Sequence, residues 1–458
     1  MKSIFGRWTL CILGLLSFNQ IRAQDISGEW NGMLSVPGMS IRLVIHISAT
    51  ADGYTSTMDS PDQGATGIKV DTTSFEQGEL KLTLLQLGAT YEGKVKDTMI
   101  MGTFTQRGYG FPLKFTRSKQ ATVQIKRPQE PHEPFPYRSE EILFMNQAAK
   151  IQLAGTLTIP QKAGKYPVVI LITGSGPQDR NEEILSHKPF LVISDYLTRQ
   201  GYAVLRYDDR GVGKSEGDFA SSTSADFTTD VNSAIRYALS RSDIDSKQIF
   251  LLGHSEGGSI APAVAAKNKK VSGIILMAGP GLRGDKLLLL QKGKIELAMG
   301  IDSSEVQHGL KVFEEVYELI LNSKDDNALQ EQVYHTLASQ VDTALAKNLS
   351  VQICGNWFRY FIRHDPALDL EKVKVPVLAL NGGNDLQVPA TENLAAIETA
   401  LKKGGNKNTT IKRFPHLNHL FQESDSGLPS EYGTIEQTIS PEVLQSIVSW
   451  LQRITNGL

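Results

Sequence analysis

The chain has few cysteines, little net charge, and no apolar run long enough to cross a bilayer comfortably. Only Cys11 and Cys354 occur among its 458 residues, and its formal net charge is −2. Such a balance indicates neither nucleic acid nor an anionic membrane surface as a partner. The length allows two or three domains and a large hydrophobic core.

The first 23 residues are predicted to form a cleaved export signal. Lys2 and Arg7 precede an apolar run from Trp8 to Phe18, and Ile21-Arg22-Ala23 is typical of a cleavage site. The run is too short to span a bilayer comfortably, and an uncleaved membrane anchor is the alternative. We therefore expect a mature chain that begins at Gln24, is periplasmic or extracellular, and has no stable membrane association.

Cysteine is too scarce in the mature chain to form an internal disulfide. Cys11 lies within the predicted signal, which leaves Cys354 alone even in an oxidising compartment. Because Cys354 lies in the apolar and aromatic stretch from Val351 to Phe361, we expect a small buried side chain there and not a nucleophile.

From residue 25 to about residue 118 the hydrophobic pattern has a period of two. Ile41, Leu43, Ile45 and Ile47 share one face, and turn signals recur roughly every ten residues. The pattern predicts an N-terminal antiparallel barrel or sandwich of seven or eight strands. We expect this β-domain to cover the second domain or to shape its entrance, and binding of a ligand or glycan is the alternative.

A stiff linker and an α/β domain are predicted to follow. Residues 119–136 form the linker, with four prolines between Pro128 and Pro136. Over residues 137–458 strand and helix patterns alternate, which predicts a mostly parallel sheet with helices on both faces. Only helical spacing occurs from about residue 282 to residue 365. We interpret this insertion as a cap over the site, and an unrelated packing domain is the alternative.

The stretch from Gln248 to Gly258 predicts a nucleophilic serine at a strand-to-helix turn. A short apolar strand leads into Gly253-His254-Ser255-Glu256-Gly257, which fits the pattern G-x-S-x-G, and small residues typical of a packed helix follow. We expect a turn too sharp for side chains at Gly253 and Gly257. Such a turn would present the hydroxyl of Ser255 and aim the helix N-terminus at the reacting carbonyl.

A second match to G-x-S-x-G, from Gly213 to Gly217, is interpreted as a loop. No apolar strand runs directly into it, and a polar stretch follows, so Ser215 is the weaker candidate for the nucleophile. A phosphate-binding loop does not fit either, because Asp208 stands where such a loop requires its first glycine.

A serine hydroxyl needs a neighbouring base, and that base needs an orienting acid. Asp385 is the first acid beyond a strong strand pattern and lies on a glycine-rich loop, where a simple turn-forming role is the alternative. Beyond Asp385 the only histidines are His416 and His419, both after the strand pattern Thr410–Phe414. We choose His419, since His416 lies close to the strand end and is expected to pack or to cap the loop.

Two backbone N–H groups are predicted to stabilise the oxyanion. One belongs to Glu256, directly after the candidate nucleophile, and the other to Ser175, with Gly176 as the alternate. We expect the side chain of Glu256 to be solvated or salt-bridged. His254 and the remaining histidines are expected to be structural or exposed.

From about Tyr137 to its end the chain resembles serine hydrolases of the α/β-hydrolase superfamily. It is similar to bacterial carboxylesterases that carry a G-S-G-P-Q-D-R loop, here Gly174–Arg180. Those enzymes also carry a D-x-R-G-x-G-x-S turn, here Asp208–Ser215, and a G-H-S-x-G-G elbow, here Gly253–Gly258. The resemblance implies the α/β-hydrolase fold with a helical cap, a catalytic triad in the superfamily's order of serine, acid and histidine, and no metal or organic cofactor.

The implied activity is hydrolysis of small carboxylic esters by two-step acyl transfer. Serine aminopeptidases share much of the pattern, so an aminopeptidase or oligopeptidase on the same triad is the alternative. In that case Glu314 or Glu315 of the predicted cap would hold the charged terminus of the substrate. A binding protein that has lost activity is the third hypothesis. The pattern does not determine the oligomeric state.

Overall fold

The computed structural model describes residues 25–36, 39–61, 65–106, 109–117, 126–323, 326–341 and 343–457. The predicted export signal, residues 1–23, and residues 119–125 of the predicted linker lie outside these ranges. Within the described ranges, no helix is both long enough and apolar enough to cross a membrane.

The N-terminal part of the chain forms one antiparallel sheet of nine strands. They are β1 Gly28–Val36, β2 Met39–Thr50, β3 Gly53–Ser60, β4 Ala65–Lys69, β5 Thr72–Glu76, β6 Glu79–Leu84, β7 Ala89–Lys96, β8 Met99–Gln106 and β9 Tyr109–Thr116. The first strand pairs with the last, and β4 and β5 are the two end strands. The prediction of seven or eight strands is therefore wrong. The end strands β4 and β5 have five residues each and are mostly exposed, so they lack the alternation that marks a strand.

The sheet curls into a half-barrel that is filled by its own side chains. Near its two ends, Ser56 Oγ of β3 lies 2.6 Å from Thr73 Oγ1 of β5. Trp30, Tyr91 and Phe115 are fully buried inside, and the rings of Tyr91 and Phe115 meet edge to face at 5.1 Å. The interior of this half-barrel is thus a packed core.

The segment that follows residue 125 lies against the second part of the chain. Arg127 donates hydrogen bonds to four main-chain carbonyls, those of Leu185, Ser186, Gly433 and Ile435. The side chain of Gln129 adds contacts to the main chain at residues 438 and 439. The described part of the predicted linker is therefore bound along the second unit.

The second sheet has eight strands in the order β10-β11-β13-β12-β14-β15-β16-β17. The strands are β10 Tyr137–Asn146, β11 Ile151–Pro160, β12 Tyr166–Ile172, β13 Ala203–Tyr207, β14 Ile244–His254, β15 Val271–Met277, β16 Val377–Gly382 and β17 Thr409–Phe414. The pairs β10–β11 and β11–β13 are antiparallel, and all others are parallel. This arrangement confirms the predicted α/β-hydrolase fold.

Helices cover both faces of the second sheet. They are α1 Pro189–Arg199, α2 Ser224–Ser240, α3 Gly257–Ala265, α10 Ala390–Lys403 and α11 Pro441–Thr455. Apolar side chains of α2, α3 and α10 pack on one face, and those of α1 and α11 pack on the other. Every residue of β13 is buried, as expected for a strand covered on both sides.

Among the described residues, six helices lie between β15 and β16, and the first five of them lie within the predicted insertion. They are α4 Gly284–Ala298, α5 Ser303–Asn322, α6 Asp326–Ala338, α7 Thr343–Ile353 and α8 Asn356–Arg363, and the short helix α9 Ala367–Leu370 follows. We call α4 to α8 the cap helices; they share a core of their own around Val316 and Val333. Asn348 of α7 also donates to Leu85 O of the half-barrel at 3.1 Å. Two short 3₁₀ helices span Leu85–Leu87 and Pro429–Thr434.

The expectation of a buried Cys354 is wrong. Its side chain is only half-buried, because it follows the last residue of α7 at the edge of the cap core.

Candidate active site

Ser255 lies at a sharp turn between β14 and α3. Its φ angle is +51°, a left-handed conformation that a serine adopts only where the surrounding structure holds it. A methyl group at Gly253 would lie 2.0 Å from Gly257 O, and one at Gly257 would lie 2.2 Å from Ile172 O. Both positions therefore exclude any side chain, in agreement with the expectation from sequence.

Ser255, His419 and Asp385 lie in one chain of hydrogen bonds. His419 Nε2 is 3.0 Å from Ser255 Oγ, and His419 Nδ1 is 2.8 Å from Asp385 Oδ2. The other carboxylate oxygen of Asp385 accepts the N–H groups of Gln387 and Val388, both at 2.8 Å. Asp385 and His419 are buried, and Ser255 is half-buried.

The two residues that sequence analysis ranked lower lie apart from this chain of hydrogen bonds. Ser215 Oγ donates to Asp208 O at 2.7 Å and accepts the N–H of Ala154, so it closes a loop. The side chain of His416 is exposed, and its main-chain oxygen accepts the N–H of Ser424 at 3.0 Å. Of the expectation that His416 packs or caps the loop, packing is therefore wrong, and the loop is bonded through the main chain of His416.

The loop that carries Ser175 passes beside Ser255. A methyl group at Gly174 would lie 3.2 Å from Ser255 Cβ, which places the start of the predicted oxyanion loop next to the serine. In the part of the chain that the structure describes, no residue accepts a hydrogen bond from the N–H of Ser175 or of Glu256. Both of these predicted donors thus retain the capacity to bind an oxyanion.

The side chain of Glu256 is neither solvated nor salt-bridged, contrary to expectation. It is 3% exposed, and its Oε1 accepts hydrogen bonds from Ser224 Oγ and from Trp357 Nε1, the latter at 2.9 Å. Its Oε2 is buried and has no hydrogen-bond partner among the described residues. Burial raises the pKa of this carboxyl above its ordinary value, although the two donors oppose the shift.

Two of the quoted sequence motifs are joined by a buried ion pair. Arg180, at the end of the first motif, binds Asp208, at the start of the second, through two parallel hydrogen bonds of 2.9 and 2.7 Å. The adjacent Asp209 accepts Thr173 Oγ1 at 2.7 Å and the N–H of Gln178 at 3.0 Å. Burial raises the pKa of Asp209 well above its ordinary value. The turn after β13 therefore fixes both ends of the loop that carries Ser175.

His254 and Glu182 form a buried pair that sequence analysis did not identify as part of the site. His254 Nδ1 lies 2.9 Å from Glu182 Oε1, and His254 Nε2 lies 3.1 Å from the main-chain oxygen of His419. Burial alone would lower the pKa of His254, but the charge and hydrogen bond of Glu182, the main-chain oxygen of His419 and the charge of Asp385 together raise it. The position of His254 beside Ser255 in sequence was the one available signal, since Glu182 precedes it by 72 residues.

The acids considered for binding a charged substrate terminus lie elsewhere. Glu314 is about half-exposed and pairs with Lys286 at 3.6 Å. Glu315 lines a surface cavity between α5 and α6 that none of Ser255, His419 and Asp385 borders. Within the described ranges, no three or more His, Cys, Asp or Glu side chains are grouped so that they could hold a metal ion.

The arrangement around Ser255 can activate a hydroxyl group and stabilise a negative charge. A histidine within hydrogen-bond reach can take the serine proton, and a buried carboxylate on its other nitrogen can fix the tautomer. The unbonded N–H groups beside the serine can hold an oxyanion. These are the elements required for acyl transfer.

Comparisons with curated proteins identify relatives of known and unknown activity. The chain is 26% identical over 301 residues to esterase EstD of Thermotoga maritima, an alignment that covers 65% of each protein. The chain therefore spans slightly less than two thirds of that relative. It is also 28% identical over 123 residues to an uncharacterised 31.7 kDa protein of Escherichia coli, which covers 27% of this chain and 41% of that protein.

Two solved structures resemble part of the chain, each with a TM-score of 0.44. The esterase Pf2001 of Pyrococcus furiosus has a TM-score of 0.44 at 15% identity, covering 72% of this chain and 97% of that chain. The α/β hydrolase GrgF of a Penicillium species has a TM-score of 0.44 at 16% identity, covering 70% of this chain and 99% of that chain. Overlaps this weak carry no argument about activity.

The family model gives the firmest relationship. Residues 188–425 match the family described as serine aminopeptidase, S33. The match includes Ser255, Asp385 and His419, and it covers more than half of the chain. The chain belongs to the serine aminopeptidase S33 family.

Proposed function

We propose that the protein is a serine carboxylesterase that acts on small-molecule esters through an acyl-enzyme. In this proposal Ser255 is the nucleophile, His419 the general base and Asp385 the orienting acid. One observation carries it: His419 Nδ1 donates to Asp385 Oδ2 at 2.8 Å, and His419 Nε2 lies 3.0 Å from Ser255 Oγ, where it can accept the proton of the hydroxyl group.

The reaction begins with proton transfer from Ser255 Oγ to His419 Nε2 while the oxygen attacks the ester carbonyl. Asp385 accepts a hydrogen bond from His419 Nδ1–H, whose proton stays on the ring, and stabilises the imidazolium that forms. His419 then gives its proton to the leaving alcohol, which departs and leaves an acylated serine. A water molecule repeats the sequence, releases the carboxylic acid and regenerates the serine.

The oxyanion of each tetrahedral intermediate is held by the main-chain N–H groups of Glu256 and Ser175. Gly174 supports this assignment, because the absence of a side chain lets its loop approach Ser255 closely. The start of α3 adds its positive end to the same place, since the helix begins at Gly257. Two donors of this kind lower the barrier by several kcal/mol in enzymes of this type, about 3 for each.

The choice of esters follows the relative from Thermotoga maritima, which is named an esterase. A peptidase is the second candidate, and the description of the family as serine aminopeptidase favours it. Glu314 and Glu315 give it little support, because one pairs with Lys286 and the other lines a separate cavity.

Substrate class is tested with p-nitrophenyl acetate and butyrate in parallel with a panel of aminoacyl p-nitroanilides. The mature chain from Gln24 onward should hydrolyse the esters, and its Ser255→Ala variant should not. Turnover of the anilides would replace the esterase by the peptidase, since amides require far more activation than esters. Tight ligand binding without turnover of either class would instead favour a binding protein.

We further propose that the enzyme is exported and acts in the periplasm or outside the cell. The basic start and the apolar run of residues 1–23 support this proposal. Expression of the full chain followed by N-terminal sequencing should give Gln24 as the first residue of the exported protein. A chain that keeps its own start and stays in the cytoplasm would contradict export.

A further inference from the structure

Glu182 and His254 touch both halves of the machinery around Ser255. Glu182 lies in the turn region between β12 and α1, and His254 is the last residue of β14. Both side chains are buried, at 4% and 6% exposure, yet neither has a role in the reaction described above. A buried histidine and carboxylate beside the reacting groups require an explanation, because burying ionisable groups costs free energy of folding.

Two hydrogen bonds connect the pair to the site, and a third joins its two members. Glu182 Oε1 accepts the N–H of Gly174 at 2.7 Å, which fixes the first residue of the predicted oxyanion loop. The same oxygen is 2.9 Å from His254 Nδ1. His254 Nε2 continues the path to the main-chain oxygen of His419 at 3.1 Å. These hydrogen bonds therefore link Gly174, in the predicted oxyanion loop, to the main chain of His419 through Glu182 and His254.

The path requires the pair to keep a proton. His254 Nε2 faces a carbonyl oxygen and must donate, whereas a neutral imidazole has only one N–H. Contact between Nδ1 and the Glu182 carboxyl therefore needs a second proton, either on the ring as an imidazolium or on the carboxyl group. Phe190, Met277 and Phe421 line the narrow cavity next to the pair, and this apolar setting strengthens the bond between them.

We propose that Glu182 and His254 act as one positioning unit, which holds the main chain of His419 and the loop at Gly174 in place around Ser255. The inference rests on the proposed function only in taking Ser255 as the nucleophile. Neither residue is catalytic, since neither reaches a reacting atom. They fix the positions of His419 and of the oxyanion loop. A displacement of about 1 Å in such a group lowers the reaction rate about a hundredfold.

The test measures how fast Ser255 reacts with a fluorophosphonate, which reports activation of the serine without requiring any ester substrate. Glu182→Gln preserves the shape of the side chain but removes its charge, which favours a neutral His254. The one N–H of a neutral imidazole is used on His419 O, so the glutamine cannot keep both the bond to Gly174 N–H and the bond to His254 Nδ1. His254→Gln removes the imidazole. Each change should slow labelling of folded protein about tenfold to a hundredfold, the range typical of residues that orient a reacting group.

Two comparisons separate positioning from a general loss of stability. Asp230→Asn is the matched control, because Asp230 is a 2% exposed carboxylate paired with Arg210 at 2.8 Å and contacts none of the site residues. It should lower the melting temperature and leave the labelling rate within about twofold of wild type. The double variant at residues 182 and 254 should react no more slowly than the slower single variant, as expected for residues that act as a unit.

Labelling rates near wild type in folded variants would overturn the inference, even if both variants melt earlier. Additive losses in the double variant would also contradict a single unit. If one variant does not fold, the other decides. A wild-type protein that is labelled at Ser255 but hydrolyses no ester would refute the proposed function and leave the positioning unit standing.

Discussion

At the scale of residues, three buried carboxyl groups lie around Ser255 and differ in what surrounds them. Asp385 accepts two main-chain N–H groups in addition to the hydrogen bond with His419. Glu182 faces His254. Glu256 has only the neutral donors Ser224 and Trp357, so its neutral form is favoured. The same chemical group thus serves different ends according to its neighbours.

The role assigned to Asp385 predicts the effect of Asp385→Asn. The amide would present an N–H where the carboxylate accepts one, so His419 would be held in the wrong tautomer for proton transfer. We expect kcat for p-nitrophenyl acetate to fall by about 10³- to 10⁴-fold with little change in KM. A loss smaller than about tenfold in folded protein would contradict the assignment of Asp385.

The close approach at the turn predicts a severe effect for Gly257→Ala. The added methyl group would lie 2.2 Å from Ile172 O, and a main-chain atom of a central strand cannot move away. We expect a loss of at least about 3 kcal/mol in the free energy of unfolding, measured by urea denaturation. Gly164→Ala is the control, since its methyl group would meet only the Tyr166 ring at 3.6 Å. Equal stability of the two variants would contradict the packing at the turn.

Local patterns were sufficient to nominate Ser255, Asp385 and His419, because each follows a strong strand pattern on a short loop. They could not reveal Glu182 or Trp357 as neighbours of the site. Trp357 contacts a residue 101 positions away, and such a contact depends on how helices and strands pack. The expectation of a solvated or salt-bridged Glu256 rests on the usual behaviour of glutamate, which tertiary packing overrides here.

At the scale of elements, helix α8 of the cap contacts the turn that carries Ser255. Trp357, near its start, stacks on Phe361 at 5.0 Å and donates to the carboxyl group next to Ser255. Asn356 adds a hydrogen bond of 3.3 Å to Ser221 O, ahead of α2. A shift of this helix would therefore move the side chain that binds Glu256, whose N–H is a proposed oxyanion donor.

The contact between α8 and the turn predicts a pH dependence of stability. Burial raises the pKa of Glu256 in the folded chain, so this group stabilises the fold fully below its unfolded pKa. That contribution is lost as the pH rises through the raised value and the carboxyl ionises without a cationic partner. Glu256→Gln removes the titration, so the variant should gain stability relative to wild type as the pH rises.

Urea unfolding of wild type and of the Glu256→Gln variant at several pH values checks this expectation. Their difference cancels contributions from every other titrating group. A difference that stays constant from acid to alkaline pH would show that Glu256 titrates at its ordinary pKa, and the neutral buried carboxyl would then be wrong.

Elements with strong hydrophobic runs were the most predictable. The central strands β12 to β16 stand out in sequence since both of their faces are covered. The end strands β4 and β5 could not be predicted from the sequence. A short exposed strand is stabilised by pairing with its neighbour and has no apolar pattern of its own.

At the scale of the whole molecule, the segment after residue 125 is held on the hydrolase by specific contacts. Arg127 reaches main-chain oxygens near residues 185 and 435, on two distant stretches of the hydrolase. The proline content predicts a stiff spacer, but it does not indicate that the spacer is bound to the hydrolase by hydrogen bonds.

Arg127→Ala should release this segment. Loss of its four hydrogen bonds should speed amide hydrogen exchange in residues 126–135 about tenfold, which corresponds to roughly 1.4 kcal/mol of local stability. Ester hydrolysis should be unchanged. The neighbouring Lys126→Ala is the control, because Lys126 is exposed. Equal exchange rates in the two variants would contradict a bound linker.

The most direct measurement of the central claim is the mass of the protein after a brief reaction with p-nitrophenyl acetate and an acid quench. We expect the wild-type chain to gain the mass of one acetyl group, located by peptide mapping on Ser255. The Ser255→Ala variant should gain none. An acetyl group on Ser215, or ester turnover that persists in the variant, would contradict an acyl-enzyme at Ser255.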